Sequence, residues 1–234
     1  MTKAADHAFV LRPSDYTAAL LQAVRAHADA IRGARALDMG CGSGVLAAAL
    51  AQAGAASVCG VDIEDASLSA AKDLVATLGC ADRTEIVRSD LWSALNGRRF
   101  GVIVANLPHF PMRPTMFHDR LESWGYGGED GRAIMDRFLK QLEAHLEPGG
   151  LALITHNAFI DFERTKDVMS SLGLGMTIIH TWLTCIAPEK MAVMNEAVLR
   201  AQLGLSIHRI GSYVFGEAHV LSISRANGER DNAG

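Results

Sequence analysis

The stretch Gly40-Cys41-Gly42-Ser43-Gly44, followed eighteen residues beyond Gly44 by Asp62, has the residue types and spacing that hold a nucleotide-like cofactor. Alternating glycines let a backbone turn tightly and approach a ligand. A carboxylate at the end of the following strand can accept hydrogen bonds from both hydroxyls of a ribose. A loop of the dinucleotide-binding form would place its third glycine at position 45, which here is Val45. A second constellation, Asn106-Leu107-Pro108-His109, closes an apolar run. The lone pair of an amide or aromatic amine is delocalised and weakly nucleophilic. An asparagine oxygen and a backbone carbonyl, from Leu107 or Pro108, can accept its two N–H bonds and turn the lone pair toward an electrophile. Holding the reacting atoms in line can supply ~7–11 kcal/mol more.

The elements that must position these groups are legible as alternating β-rich runs and amphipathic segments, the pattern of a parallel sheet covered on both faces. Pro13-Ser14-Asp15 opens a first helix with Leu20, Val24 and Ile31 along one side and Ser14 as its cap. Strands are expected at Ala36–Met39, Ser57–Val61, Thr84–Val87, Phe100–Ala105, Leu151–Thr155, Met176–Thr181 and Ala218–Ser224. A helix after the glycine loop carries Leu46 and Leu50, and the next aligns Leu68, Ala71, Val75 and Leu78. A long helix is expected from Asp130 to Leu146, ended by Pro148-Gly149-Gly150, and another at Asp161–Leu172.

Two segments exceed this minimal sheet. Residues 109–128 lack periodicity and hold Phe110, Phe117, Trp124 and Tyr126, and long structureless loops tend to be functional. Residues 182–214 form an insertion with an expected helix from Pro188 to Leu203, stopped by Gly204. Its apolar face of Met191, Met194 and Val198 suits packing on the domain itself, with a lid or a homodimer surface as the other readings. The organisation expected is one domain over 1–225 with that insertion, then a disordered tail over 226–234.

Composition bounds the alternatives. The 234 residues are 49% hydrophobic and 21% charged, enough apolar material for a core and too much for a disordered chain. A net charge of −4 lacks the basic footprint of a dedicated nucleic-acid binder. The four cysteines have no metal-ligand spacing, and the nine histidines form no HxxxH pair, so no metal site is expected. No signal peptide or membrane-length apolar run is apparent, which points to a soluble cytoplasmic protein. No GxSxG supports serine hydrolase chemistry.

Leu37-Asp38-Met39-Gly40-Cys41-Gly42-Ser43-Gly44 resembles motif I of class I S-adenosylmethionine (SAM) methyltransferases, whose fold is a Rossmann-like, doubly wound, mostly parallel seven-stranded α/β sheet. Val61-Asp62-Ile63 is similar to motif II, which implies Asp62 on the ribose and Ile63 against the adenine. Ser89-Asp90-Leu91 resembles the third-strand motif, whose Asp caps the adenine amino group. The resemblance implies SAM as cofactor, bound by Asp38, Gly40, Cys41, Gly42, Gly44, Asp62, Ile63, Asp90, Leu91 and Asn106.

Asn106-Leu107-Pro108-His109 resembles the (Asn/Asp)-Pro-Pro-(Tyr/Phe) tetrapeptide of methyltransferases acting on planar nitrogens, and its Leu is like the Asn-Leu-Pro-Tyr form of ribosomal-RNA adenine dimethylases. His109 departs from both. Gly127-Gly128-Glu129-Asp130-Gly131-Arg132 and Val10-Leu11-Arg12-Pro13-Ser14-Asp15 are similar to segments of protein-glutamine N5-methyltransferases. Only about 35 residues precede the first strand, where those enzymes carry a helical partner-binding domain, and the 182–214 insertion is not theirs. The expected function is N-methylation of an amide or amine, on a small molecule or protein side chain, with Asn106, Leu107, Pro108 and His109 as the catalytic group. One alternative is nucleic-acid adenine methylation. The other is use of SAM's aminocarboxypropyl chain with release of methylthioadenosine. His156 and His180, near strand ends, are candidates to touch substrate, while Tyr16 and Trp92 near the cofactor positions read mainly as packing.

Overall fold

The computed structural model describes residues 13–112 and 125–225. The expected tail at 226–234, Val10-Leu11-Arg12, and Phe117 and Trp124 of the long loop lie outside the described residues. The chain order is α1 (Asp15–Ala26), α2 (Ala28–Ile31), β1 (Arg35–Met39), α3 (Val45–Gln52), β2 (Ser57–Asp62), α4 (Asp65–Thr77), β3 (Thr84–Arg88), β4 (Phe100–Ala105), α5 (Ala133–His145), β5 (Leu146–Asn157) and α6 (Phe162–Ser171). It continues with β6 (Leu174–Cys185), α7 (Pro188–Val193), α8 (Glu196–Gln202), β7 (Ile207–Ile210) and β8 (Tyr213–Arg225).

Among the described residues the strands form one sheet in the order β3-β2-β1-β4-β5-β8-β6, with β7 added on β8. β1 to β5 are parallel, and β8 runs antiparallel to both β5 and β6. Parallel strands covered on both faces read as continuous apolar runs, and β1 and β4 are buried along nearly their whole lengths. On one face Leu37, Met39 and Ile103 pack with Phe138 and Leu142 of α5. On the other, Ala36, Val102 and Val104 pack with Leu20, Val24 and Leu50 of α1 and α3. Strand order reverses between β1 and β4, the point where open α/β sheets leave a crevice at the carboxyl ends of their strands. Met39 pairs with Val61 on one side and Ala105 on the other, so the glycine loop, Asp62 and Asn106 emerge at one level.

Several boundaries differ from the sequence expectation for identifiable reasons. Pro148-Gly149-Gly150 sits inside β5. The helix ends at His145, and Phe100 pairs with Leu146 while Val102 pairs with Leu151, so the Pro-Gly-Gly segment is accommodated as a bulge. β6 and β8 run past their expected ends because they pair with each other from Leu174↔Arg225 to Cys185↔Phe215. The helix expected over 188–203 breaks in two, with Asn195 capping α8 by accepting the Ala197 N–H at 2.9 Å. Leu78, expected on the buried side of α4, lies beyond its end and is exposed. The insertion's Met194 is buried with Phe110, Met112, Ile186, Ile207 and Val214 in a third cluster, and Met191 and Val198 pack against it. The insertion thus packs onto the segment that follows the Asn106 tetrapeptide.

Candidate active site

Positive φ at Gly44 (+81°) turns the loop directly into α3, and a Cβ there would come within 2.8 Å of the Ala71 Cα, so glycine lets α3 sit against α4. The loop is tied to β2: Gly40 and Cys41 donate to the Val61 carbonyl at 2.8 and 2.9 Å. Gly42 donates to Asp62 Oδ2 at 2.9 Å, and Glu64 donates to Asp62 Oδ1 at 3.0 Å. The two carboxylate oxygens are therefore oriented by backbone and each keeps a free acceptor direction. Burial raises the Asp62 pKa, and the Glu64 and Gly42 amides oppose that rise.

A cavity of about 300 Å³ opens at the switch point. Its walls include Gly40, Gly42, Asp62, Ile63, Asp90, Leu91 and Asn106 of the sequence-derived cofactor set, with Ile63 47% exposed. Asp38, Cys41 and Gly44 are not among its lining residues. Cys41 lies buried behind the loop with its thiol pushed upward in pKa by burial, against Gly60. Ser89 holds the third-strand loop: its hydroxyl donates to the Leu91 carbonyl at 2.6 Å and accepts from the Ala94 amide at 3.0 Å. Leu91 there has φ of +49°, a strained value for a branched residue. Asp90 accepts from Arg137 Nη2 at 2.7 Å, a half-exposed pair brought to the cavity by α5.

Asp38 is 0% exposed, and among the described residues neither carboxylate oxygen has a hydrogen-bond partner, although the Ala47 amide of the first turn of α3 acts on it favourably. Burial first, and the neighbouring Asp62 carboxylate after it, raise its pKa to about 7. The folded protein therefore keeps a proton that the unfolded chain releases from about pH 4 upward, and stability drains away as pH rises from about 4 to 7. Asp38→Asn abolishes this titration. Its unfolding midpoint in urea, relative to the parent, is expected to climb between pH 4.5 and 7.5, by about 3 kcal/mol of stability. Buried histidines contribute the opposite slope to both proteins and cancel in the difference. A difference that stays constant with pH would refute this account.

Asn106, Leu107 and Pro108 also wall a second cavity of about 240 Å³, completed by Tyr16, His109, Asn157 and Thr184. Its lining mixes polar groups with Leu107, Pro108 and Phe110, and its two charged lining residues, Asp15 and Lys190, are exposed. The Asn106 oxygen accepts from the Thr155 hydroxyl at 2.9 Å. His109 is 5% exposed, and its Nδ1 lies 2.5 Å from the Leu107 carbonyl. A carbonyl can only accept, so Nδ1 carries the proton. Burial chiefly lowers the His109 pKa to about 4, keeping the ring neutral. That ring takes one lone pair of the Leu107 carbonyl, and its Nε2 has no hydrogen-bond partner among the described residues.

Other candidates fall away from the cavities. His156 is buried on the opposite side of β5 from Thr155 and Asn157, with Nε2 at 2.9 Å from Thr165 Oγ1 and 3.3 Å from Arg132 Nη1. Arg132 is itself buried and bonds Asp136 at 2.6 Å. His180 is exposed and stacks on Trp182. Trp92 is buried, donates to the Phe138 carbonyl at 3.0 Å and stacks on Phe138 and His145. Sequence reasoning did not anticipate Arg137 and Tyr126 at the first cavity, or Asn157 and Thr184 at the second. The only signal for Asn157 was its alternation with Thr155 on the strand that carries His156.

The methyltransferase small-domain model matches residues 9–175, covering the glycine loop, the cavity and the tetrapeptide. The chain belongs to this family. A candidate protein N5-glutamine methyltransferase of Methanocaldococcus jannaschii is 32% identical over 143 residues, 61% of this chain and 71% of that protein. The release factor glutamine methyltransferase of Gloeobacter violaceus is 29% identical over 150 residues, and the match spans 61% of this chain and 52% of that enzyme. The 16S rRNA N2 G1207 methyltransferase of T. thermophilus, solved with S-adenosylmethionine and guanosine, has a TM-score of 0.57 at 20% identity. That match covers 92% of this chain and 44% of the other, and it shows the shared fold. As a methyltransferase small-domain protein, the chain is an enzyme whose methyl donor is SAM.

The residues present suit that cofactor. Gly42 lines the cavity and a Cβ there would meet no protein atom, so the space beside the loop is open for a ligand. Asp62 presents oriented acceptors to it. Among the described residues no group of metal-ligating side chains occurs, and no helix is long and apolar enough to cross a membrane.

Proposed function

We propose that this protein methylates the nitrogen of a primary carboxamide, a protein glutamine side chain being the acceptor class. The carrying observation is the shared wall: Asn106, Leu107 and Pro108 stand between the first cavity and a second one lined also by Tyr16, His109, Asn157 and Thr184. Bound SAM supplies an electrophilic methyl group. The first cavity holds it through the glycine loop, Asp62, Ile63 and the Asp90–Leu91 turn. In the second, the Asn106 oxygen and a carbonyl of Leu107 or Pro108 accept the two N–H bonds of the carboxamide, which frees its lone pair from conjugation. Transfer would break the methyl–sulfonium bond, leaving S-adenosylhomocysteine, and the nitrogen, acidified as it bonds to carbon, would pass one proton to water, so no strong base is needed. Neutral His109 shapes the pocket and steadies the Leu107 carbonyl. The relatives named for glutamine N5 support the acceptor class.

Incubation with SAM and either the protein or the small-metabolite fraction of a cell extract tests this reading. Expected are S-adenosylhomocysteine with the protein fraction and one added methyl on a glutamine nitrogen by tandem mass spectrometry. Transfer only to small metabolites, or only to RNA or DNA adenine, would overturn the acceptor class. Methylthioadenosine formed without any acceptor would overturn methyl transfer.

A further inference from the structure

We infer that Thr155 and Asn157, two residues apart on β5, are positioning residues that hold the Asn106–His109 tetrapeptide in its working geometry. This rests on the carboxamide reading of the site. Side chains two apart on a strand share a face, and these two reach different ends of the same motif. Thr155, fully buried, donates its hydroxyl to the Asn106 oxygen at 2.9 Å. That bond restrains the carboxamide and leaves its oxygen a second acceptor direction for substrate.

Asn157, also buried, donates Nδ2 to the His109 carbonyl at 3.3 Å. Its own oxygen accepts the Tyr16 hydroxyl at 2.5 Å. Tyr16 in turn packs edge-on against the His109 ring at 5.6 Å between centroids. The motif is thus gripped from β5 at both ends and from α1 at the ring. The Arg132 cluster lies with His156, on the other side of the strand.

A working site needs its acceptors fixed before substrate arrives, since ordering them during the reaction costs rate. Removing one such restraint is expected to slow transfer about three- to tenfold, the range of a single buried hydrogen bond. Thr155→Val keeps the shape and deletes the hydroxyl, and Thr155→Ser keeps the hydroxyl and deletes the methyl. The probe is a peptide with one glutamine, and three quantities are read. These are kcat and KM for the peptide, S-adenosylhomocysteine affinity by calorimetry, and the Asn106 side-chain amide signals by NMR, assigned through Asn106→Ala. T155V is expected to lose kcat with unchanged cofactor affinity and to broaden or shift the Asn106 amide pair, and T155S to restore both. Asn157→Leu is expected to lower kcat similarly while leaving the Asn106 signals in place. Wild-type kcat in T155V, or an Asn106 amide pair that T155V leaves untouched, would overturn the inference. So would failure of T155S to rescue. If the parent itself transfers nothing to glutamine, the carboxamide reading fails, and the NMR arm alone decides whether Thr155 positions Asn106.

Discussion

Asn106→Ala is expected to slow methyl transfer to a glutamine peptide by on the order of 10²–10³-fold, the loss typical of removing one preorganised hydrogen-bonding group from a reacting centre. The side chain emerges from the end of β4 at the level of the glycine loop, where it faces both cavities and is restrained by Thr155. Its oxygen is the proposed partner of one substrate N–H, and among the described residues no other carboxamide lines both cavities. The substitution opens space at the shared wall without touching the bonds from Gly42 and Glu64 that orient Asp62. S-adenosylhomocysteine affinity is accordingly expected to change far less than the rate. Single-turnover kinetics and calorimetry on the same preparation separate the two. A rate and an affinity that fall in step would make Asn106 part of the cofactor wall and nothing more.

Asp62→Ala is expected to weaken SAM binding by roughly 5- to 150-fold, corresponding to ~1–3 kcal/mol for buried hydrogen bonds left unmade. Two effects add. The acceptors proposed for the ribose hydroxyls vanish, and the Gly42 and Glu64 amides lose the carboxylate that ties the glycine loop to the end of β2. Asp62→Asn separates them only in part, because its NH₂ end must face one of two backbone donors, Gly42 or Glu64. Its affinity should therefore fall between those of the parent and Asp62→Ala. Calorimetric titration with SAM at pH 7.5 reads both variants, with circular dichroism confirming the fold. Parent-like affinity in Asp62→Ala would place the ribose elsewhere.

The legible part of the site is its local part. Gly40, Gly42, Asp62 and Asn106 announce themselves because each sits at the carboxyl end of a parallel strand within a few residues of a turn, and such a turn demands particular residue types. Arg137, Tyr126 and Thr184 carry no such mark. Arg137 reaches the first cavity from α5, which lies against the third-strand loop, Tyr126 through its bridge to Phe110, and Thr184 from the far end of β6, paired there with β8, and none of these placements follows from a neighbour in sequence. His156 shows the difference sharply. Its position at a strand end suggested contact with substrate, but side chains alternate across a sheet, and that alternation points Thr155 and Asn157 at the motif and His156 into the Arg132 cluster. Pro148-Gly149-Gly150 is a milder case. The helix stops just before it, at His145, as its turn chemistry requires, and only the pairing with β4 shows that the segment also sits inside β5 as a bulge.

The sequence by itself determined the strand–glycine loop–helix unit, the acid at the second strand, the tetrapeptide after the fourth strand and hence the family of the fold. Those features depend on contacts within a few residues, where propensity, turn chemistry and hydrophobic period act directly. Only the tertiary structure decided that the tetrapeptide divides two cavities, that Asp38 and Cys41 lie behind the loop instead of lining it, and that Tyr16 and Asn157 meet across 141 residues of chain. Strand order and long-range pairing set which side chains share a surface, and no local pattern along the chain encodes that partnership.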